Sequence, residues 1–144
     1  MTRKKVSKSM RPLAEKASEH YLYHVCGCDI PQIRRAIRTK WQSVDFWACD
    51  VMGRTREGRC FFAQVTAGQS EAVRSRRRKL EKISWNAFDT VFVLQLVEQP
   101  NPANQRKKDF FFRVHRLFGT IWFVDSVAYP IPRGWFVKLK EVKP

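Results

Sequence analysis

Residues 90–97 form a nearly continuous apolar run, which constrains the fold of this chain more than any other feature. A strand with apolar side chains at almost every position is expected where helices cover both faces of a sheet. The other patterns agree. In chain order they predict a helix over 12–24, a β-hairpin of 44–52 and 60–66 with its turn at 53–59, a basic helix over 70–85, strands over 90–97 and 109–117, and a last strand near 135–139. This order predicts the α/β class, with a mixed central β-sheet flanked by helices.

The chain is predicted to be one domain preceded by a short arm. Its 144 residues fit a single domain. Residues 1–11 are basic and are predicted to form a flexible arm, while Pro12, a residue suited to the first position of a helix, opens the domain of 12–144. Between the first helix and the hairpin, residues 30–40 are compatible with a short helix opened by Pro31 or with an edge strand.

The charge balance points to a polyanionic partner. The chain has 28 Lys and Arg against 13 Asp and Glu, which gives a formal net charge of +15. Self-repulsion at this charge destabilises a compact fold, and a nucleic acid offers affinity through the counterions that its phosphates release. The alternative is a solvated basic surface without a partner. We therefore expect a nucleic-acid-binding protein that takes no small-molecule cofactor.

Membrane insertion, secretion and zinc binding are not predicted. No stretch approaches the roughly 18 apolar residues of a spanning helix, and no apolar segment follows the basic N-terminus as in a secretory signal. Cys26-Gly27-Cys28 is too tightly spaced for the usual zinc pair, and no second pair completes a site. The expected compartment is the cytoplasm, where the four cysteines remain free thiols.

The hairpin carries the residues best suited to chemistry. Because side chains alternate along a strand, Gln64 and Thr66 share one face and Val65 points to the other. Asp45 and Asp50 differ by an odd number of positions, so only one of them can face Gln64 in a regular hairpin, and we expect Asp45. A carboxylate beside a second oxygen ligand can hold a hard cation such as Mg²⁺, which would lower the pKa of a bound water.

Several segments together resemble a known family. Glu15 in the first helix, Ser43-Val44-Asp45-Phe46-Trp47-Ala48, Phe61-Phe62-Ala63-Gln64-Val65-Thr66, the basic helix and the apolar strand are similar to the archaeal-type Holliday junction resolvases of the PD-(D/E)XK nuclease superfamily. The resemblance covers about residues 10–116. It implies a restriction-endonuclease-like sheet and a homodimeric endonuclease that cleaves branched DNA by metal-dependent phosphodiester hydrolysis.

The motif residues match this family in part. Asp45 matches the motif aspartate, preceded by Val44 rather than proline, and Glu15 occupies the position of a helical metal-site glutamate. Gln64 stands where an acid is expected and Thr66 where the catalytic lysine is expected. The resemblance thus implies Glu15, Asp45, Gln64 and the Val65 carbonyl as ligands of Mg²⁺ or Mn²⁺. Phage and bacterial nuclease-like proteins with Gln-Val-Thr and an Arg-rich helix show a similar variant, and a phage-encoded protein would act in the host cytoplasm.

A cation from the basic helix can replace the missing motif lysine. Lys79, Arg76 and Arg78 are the candidates, and Arg76 and Lys79 share a face of the helix. Most of the basic helix is expected to face solvent. The predicted phosphate contacts are Arg34, Arg35, Arg38, Lys40, Arg74, Arg76, Arg77, Arg78 and Lys79.

Two alternatives remain open from the sequence. The first is a DNA- or RNA-binding protein that keeps the nuclease scaffold without its chemistry, which the missing acid and lysine favour. The second is a nicking or restriction-type nuclease that acts on linear duplex. The aromatic C-terminal part also leaves two options, a dimer surface or a part of the domain core. Its residues are Trp122, Phe123, Trp135 and Phe136.

Overall fold

The computed structural model describes residues 6–36 and 49–139, with side chains from residue 10 onward. Its helices are α1 (Val6–His24) and α2 (Ser70–Glu81), with short 3₁₀ turns at Ile30–Gln32 and Arg133–Phe136. Its strands are β1 (Arg34–Arg35), β2 (Val51–Arg54), β3 (Cys60–Thr66), β4 (Asp89–Pro100), β5 (Lys108–Phe118), β6 (Ile121–Val124) and β7 (Tyr129–Pro130).

The described strands form one mixed sheet in the order β1-β2-β3-β4-β5-β6, and β7 pairs with β5. The β3–β4 pair is parallel and α2 connects its two strands, whereas the other neighbouring pairs are antiparallel. The predicted α/β class with a mixed central sheet is therefore confirmed.

The two helices cover opposite faces of the sheet. Alternate residues of the strands pack into the apolar cluster on one face or on the other. On one face Ala14, Ala17 and Tyr21 of α1 pack with the odd-numbered residues of β3, such as Ala63 and Val65. On the other face Leu80 of α2 packs with Phe62, Val91, Val93 and Leu117. Both faces of β4 are thus covered, as its continuous apolar run predicts.

Several element ends differ from the sequence prediction. The first helix begins at Val6, so residues 6–11, predicted as a flexible arm, are helical, and Pro12 lies inside the helix. Both options for residues 30–40 are partly realised, as a 3₁₀ turn that contains Pro31 followed by the edge strand Arg34–Arg35. Helix α2 ends at Glu81, where Trp85 Nε1 donates a hydrogen bond of 2.8 Å to the Leu80 carbonyl.

The C-terminal strand predicted near 135–139 is wrong, since Arg133–Phe136 form a 3₁₀ turn. Trp135 is buried there and stacks on His24, with ring centroids 5.3 Å apart. Phe136 packs edge-on against Phe110. Both aromatic residues belong to the core around α1, which supports the core alternative for this part of the tail.

Candidate functional site

A polar patch lies on the sheet face that α2 covers. In register, Gln64 of β3 is opposite Val93 of β4, and Val93 is opposite His115 of β5. One step along, Thr66 is opposite Gln95. Since Val65 joins the core on the α1 side, Gln64 and Thr66 share a face opposite to Val65, as predicted. Polar side chains therefore replace apolar ones beneath the first half of α2.

Arg76 joins α2 to this patch. Its guanidinium donates a hydrogen bond of 2.9 Å to Gln64 Oε1 and lies 3.6 Å from Asp50 Oδ2. The same Asp50 oxygen accepts the Val65 backbone N–H at 2.7 Å. Asp50 is 1% exposed and Gln64 is 0% exposed. A buried carboxylate is costly unless it is paired and hydrogen-bonded, and Arg76 with the Val65 N–H meets both requirements.

The aspartate beside this patch is Asp50, whereas the sequence favoured Asp45. The Asp50 backbone N–H donates to the Ala63 carbonyl at 2.9 Å, so Asp50 lies where β2 begins to pair with β3. Asp45 lies outside the described residues. Arg76, one of the predicted basic replacements for the motif lysine, contacts Gln64.

The other predicted ligands are placed differently. Glu15 lies on α1, which covers the opposite face of the sheet from Gln64, and its recorded ion pair is with Arg11 at 3.9 Å. Thr66 Oγ1 accepts the Gly68 backbone N–H at 3.0 Å and thereby holds the turn that leads into α2. Thr66 therefore has a local structural partner at the position where the resemblance implied a catalytic lysine.

Asp50 and Gln64 as arranged do not fit a bound divalent cation. Mg²⁺ takes one or two carboxylates and keeps several waters, so an Asp–Gln pair is chemically acceptable. However, the Arg76 guanidinium contacts an oxygen of each residue, and both residues are buried. Within the described part of the chain, three or more His, Cys, Asp or Glu side chains do not come together. Arg76 thus supplies the positive charge that a metal would otherwise bring.

A second chain of hydrogen bonds runs from Arg77 into the sheet. An Arg77 terminal N–H lies 2.6 Å from His115 Nδ1, and His115 Nε2 lies 3.0 Å from Gln95 Oε1. Because a guanidinium can only donate, Nδ1 must accept and Nε2 carries the proton that Gln95 accepts. The Gln95 amide then donates to the Gly68 carbonyl at 3.2 Å. Burial, followed by the charges of Arg77 and Arg113, lowers the pKa of His115 to about 4.

We predict that His115 makes the fold sensitive to mild acid. The folded-state pKa lies below the ordinary value of 6.5, so the unfolded chain binds more protons between pH 6.5 and 4. Stability contributed by neutral His115 is complete above pH 6.5 and is lost as pH falls towards 4. His115→Gln should reduce the change in unfolding free energy between pH 6.5 and 4 by about 1–2 kcal/mol. The measurement is urea unfolding at several pH values. Equal pH slopes in parent and variant would contradict the assignment.

The basic residues of α2 divide into two groups. Arg74, Arg78 and Lys79 are exposed. Arg76 is only 14% exposed at its side chain, and Arg77 holds His115 while its guanidinium lies 5.0 Å from the Trp122 ring centre. Most residues of this helix are exposed, as expected, but Arg76 and Arg77 are only partly exposed.

Two of the remaining predicted contacts lie on β1, at the edge of the described sheet. Arg34 and Arg35 are exposed on β1. Arg35 lies 3.5 Å from Glu19, and Arg34 donates to backbone carbonyls in its own turn. Arg38 and Lys40 lie outside the described residues.

The sequence prediction preferred Asp45 to Asp50 and did not assign Gln95, Arg113 or His115 to this site. The sequence contains a signal for Gln95, which is a polar residue within the apolar run of β4. Gln95 and His115 are only 8% and 5% exposed, so each needs a buried hydrogen-bond partner.

Comparisons with known proteins found no matching family model, curated protein or solved structure. Among the described helices, none is long and apolar enough to cross a membrane. Functional inference therefore depends on the geometry of the site and on the charge of the chain.

Proposed function

We propose that this protein binds DNA through the α2 side of its sheet, with branched DNA as the preferred form. One observation carries the proposal. Helix α2 keeps Arg74, Arg78 and Lys79 exposed in a chain whose net charge is +15. Side chains of this kind contact phosphates, which fix the position of a protein on DNA without reading its sequence.

The two carboxylates of α2 itself offset little of the charge of its exposed arginines. The carboxylates of α2 are Glu71, which lies 3.8 Å from Arg74, and Glu81, which accepts a hydrogen bond from Trp122. Glu71 is 95% exposed, so its pairing with Arg74 is weak and screened by salt. Arg76 is instead compensated internally by Asp50. Arg74 and Arg78 therefore carry exposed positive charge that a polyanion can contact.

The scaffold supports a restriction-endonuclease-like sheet as part of the proposal. A helix precedes an antiparallel hairpin, a second helix follows, and the next strand is parallel to the second hairpin strand. Asp50 and Gln64 lie at the paired ends of that hairpin. In this interpretation the Asp50–Gln64–Arg76 cluster occupies the place of a nuclease centre and stabilises the fold.

Binding is tested with a labelled four-way junction and a linear duplex of the same arm sequences. We expect both to be bound in EDTA, the junction more tightly, because a shape-reading surface meets phosphates from two arms. The measurement is a gel-shift titration with unlabelled duplex as competitor. The absence of any DNA complex would rule out the proposal, and equal affinities would remove the preference for branched DNA.

A second candidate function is cleavage of branched DNA by a homodimer, with Mg²⁺ or Mn²⁺. The observation in its favour is that oxygen atoms of Asp50 and Gln64 converge on one cation, Arg76, at the end of the hairpin. This candidate requires Arg76 to leave both oxygens, because the cluster as arranged does not accommodate a metal. A two-fold dimer would suit a near-symmetric junction.

Cleavage is tested on the same two DNA substrates with Mg²⁺, Mn²⁺ or EDTA. The second candidate expects metal-dependent cuts in the junction and their loss in Asp50→Asn, with binding in EDTA retained. Asp45→Asn, measured beside it, shows which aspartate acts. Gln64→Glu should strengthen metal dependence because it restores a charged ligand. If the parent never cuts either substrate with either metal, binding alone remains.

A further inference from the structure

Two neighbouring cavities form a groove at the first turns of α2. A cavity of about 320 Å³ lies between α2 and strands β4 and β5. A second cavity of about 260 Å³ continues towards residues 67 and 68 and the later half of β4. Gln69, Gln95 and Arg113 line both, so the two are continuous. Together they have the size of a small-ligand site.

The lining of the first cavity suits an anion. Arg74, Arg77 and Arg113 line it, and among the described residues no carboxylate does. His115 also lines it and is neutral near pH 7, since burial and the two neighbouring arginines lower its pKa to about 4. Ser70 and the start of α2 add backbone N–H groups that an α-helix leaves without internal partners. An anion here would meet three cations and helix N–H donors together.

Arg77 is held in place before any ligand arrives. Its terminal nitrogen is fixed by His115, which is fixed in turn by Gln95 and the Gly68 carbonyl. Its Nε is buried and has no hydrogen-bond partner among the described residues. A preorganised guanidinium loses less freedom on binding than a mobile one, which favours a specific site over a diffuse basic surface.

The second cavity differs in chemistry. Ala67, Leu96 and Val97 give it apolar walls, and Glu98 adds a carboxylate that pairs with Lys108. Apolar walls with a few polar groups suit the flat face and the polar edge of a base. The groove therefore changes along its length from strongly cationic to a mixture of apolar and polar groups.

We propose that this groove binds a nucleotide unit that carries a phosphomonoester, either as a free nucleoside monophosphate or at the end of a DNA strand. The phosphate lies among Arg74, Arg77 and Arg113, and the sugar and base extend into the second cavity. A phosphomonoester carries close to two negative charges at pH 7 and offers three acceptor oxygens, which matches three arginines better than an internal phosphodiester does. The strand-end form rests on the proposed DNA binding; the free-nucleotide form does not.

The test compares ends that differ only in phosphate. Single-stranded oligonucleotides with a 5′-phosphate, a 3′-phosphate or hydroxyl ends are titrated by fluorescence anisotropy. Deoxyadenosine 5′-monophosphate and inorganic phosphate are titrated by calorimetry. Arg113→Gln and Arg74→Gln are the test variants, because both side chains are exposed and their loss should not disturb the core. Arg106→Gln is the matched control, with the same charge change at an exposed residue outside the groove.

We expect one phosphorylated end to bind at least tenfold more tightly than the hydroxyl end. Each test variant should lose about tenfold or more of that preference, since a hydrogen bond to a charged group is lost, while Arg106→Gln retains it. If DNA binds but neither phosphate raises affinity, and the monophosphate does not bind, the groove proposal is overturned and DNA binding stands. If DNA does not bind but the monophosphate does, and Arg113→Gln abolishes this, the proposed function fails and the groove is a nucleotide site. Binding of inorganic phosphate equal to the monophosphate in affinity would overturn the role of the second cavity.

Discussion

Arg76→Met should destabilise the folded protein by about 3–5 kcal/mol. The variant keeps most of the side-chain volume and removes the positive charge that lies 3.6 Å from the buried Asp50 carboxylate. It also removes the donor to Gln64 Oε1. The matched control is Arg78→Met, because Arg78 is exposed two positions further along α2. Its effect should stay within about 0.5 kcal/mol. Both are measured by urea unfolding at pH 7.

Asp50→Asn in the Arg76→Met background separates charge from packing. The asparagine oxygen can still accept the Val65 N–H, but no charge remains buried. We expect the double variant to recover a large part of the lost stability, as a coupling energy in a double-mutant cycle. If Arg76→Met is as stable as Arg78→Met, the cluster is not the internal ion pair that we describe.

Replacing Arg74, Arg78 and Lys79 together with alanine should give the largest loss in DNA binding. If the parent contacts about six phosphates, its affinity falls roughly a thousandfold between 50 and 200 mM salt. Each phosphate contact removed lowers the salt slope by about one unit. The triple variant should therefore lose only about fortyfold over the same range, while remaining folded by circular dichroism. A parent-like affinity and slope in the folded variant would place the DNA surface elsewhere.

The sequence predicted which residues of β3 share a face, but not which aspartate of the preceding strand faces Gln64. Strand alternation alone separates Gln64 and Thr66 from Val65, and the structure agrees. The choice between Asp45 and Asp50 depends on hairpin register, because a one-residue slip turns every side chain to the other face. The observed register pairs Arg54 with Cys60 and Val51 with Ala63, so residues with even numbers share the Gln64 face. The turn at 55–59, with Gly58 at φ 87°, sets this register. The residues of the turn did not by themselves specify which register would form.

The partial burial of Arg76 and Arg77 could not be predicted either, because it depends on what lies beneath the helix in the folded protein. A helix with few apolar positions is expected to expose its charges, unless the surface beneath it carries polar partners. Those partners are Gln64 and His115, which come from strands separated by α2 and β4. Gln64 and His115 come to lie beneath neighbouring residues of α2 only when the sheet has formed. The sequence of the helix alone therefore does not reveal these contacts.

The salt dependence of junction binding measures whether this surface binds DNA through its phosphates. A labelled four-way junction is titrated with the parent protein in EDTA at several salt concentrations between 50 and 200 mM. We expect a straight line of log affinity against log salt concentration with a slope of about −5, as for six phosphate contacts. A flat line, or no complex at 50 mM salt, would contradict it.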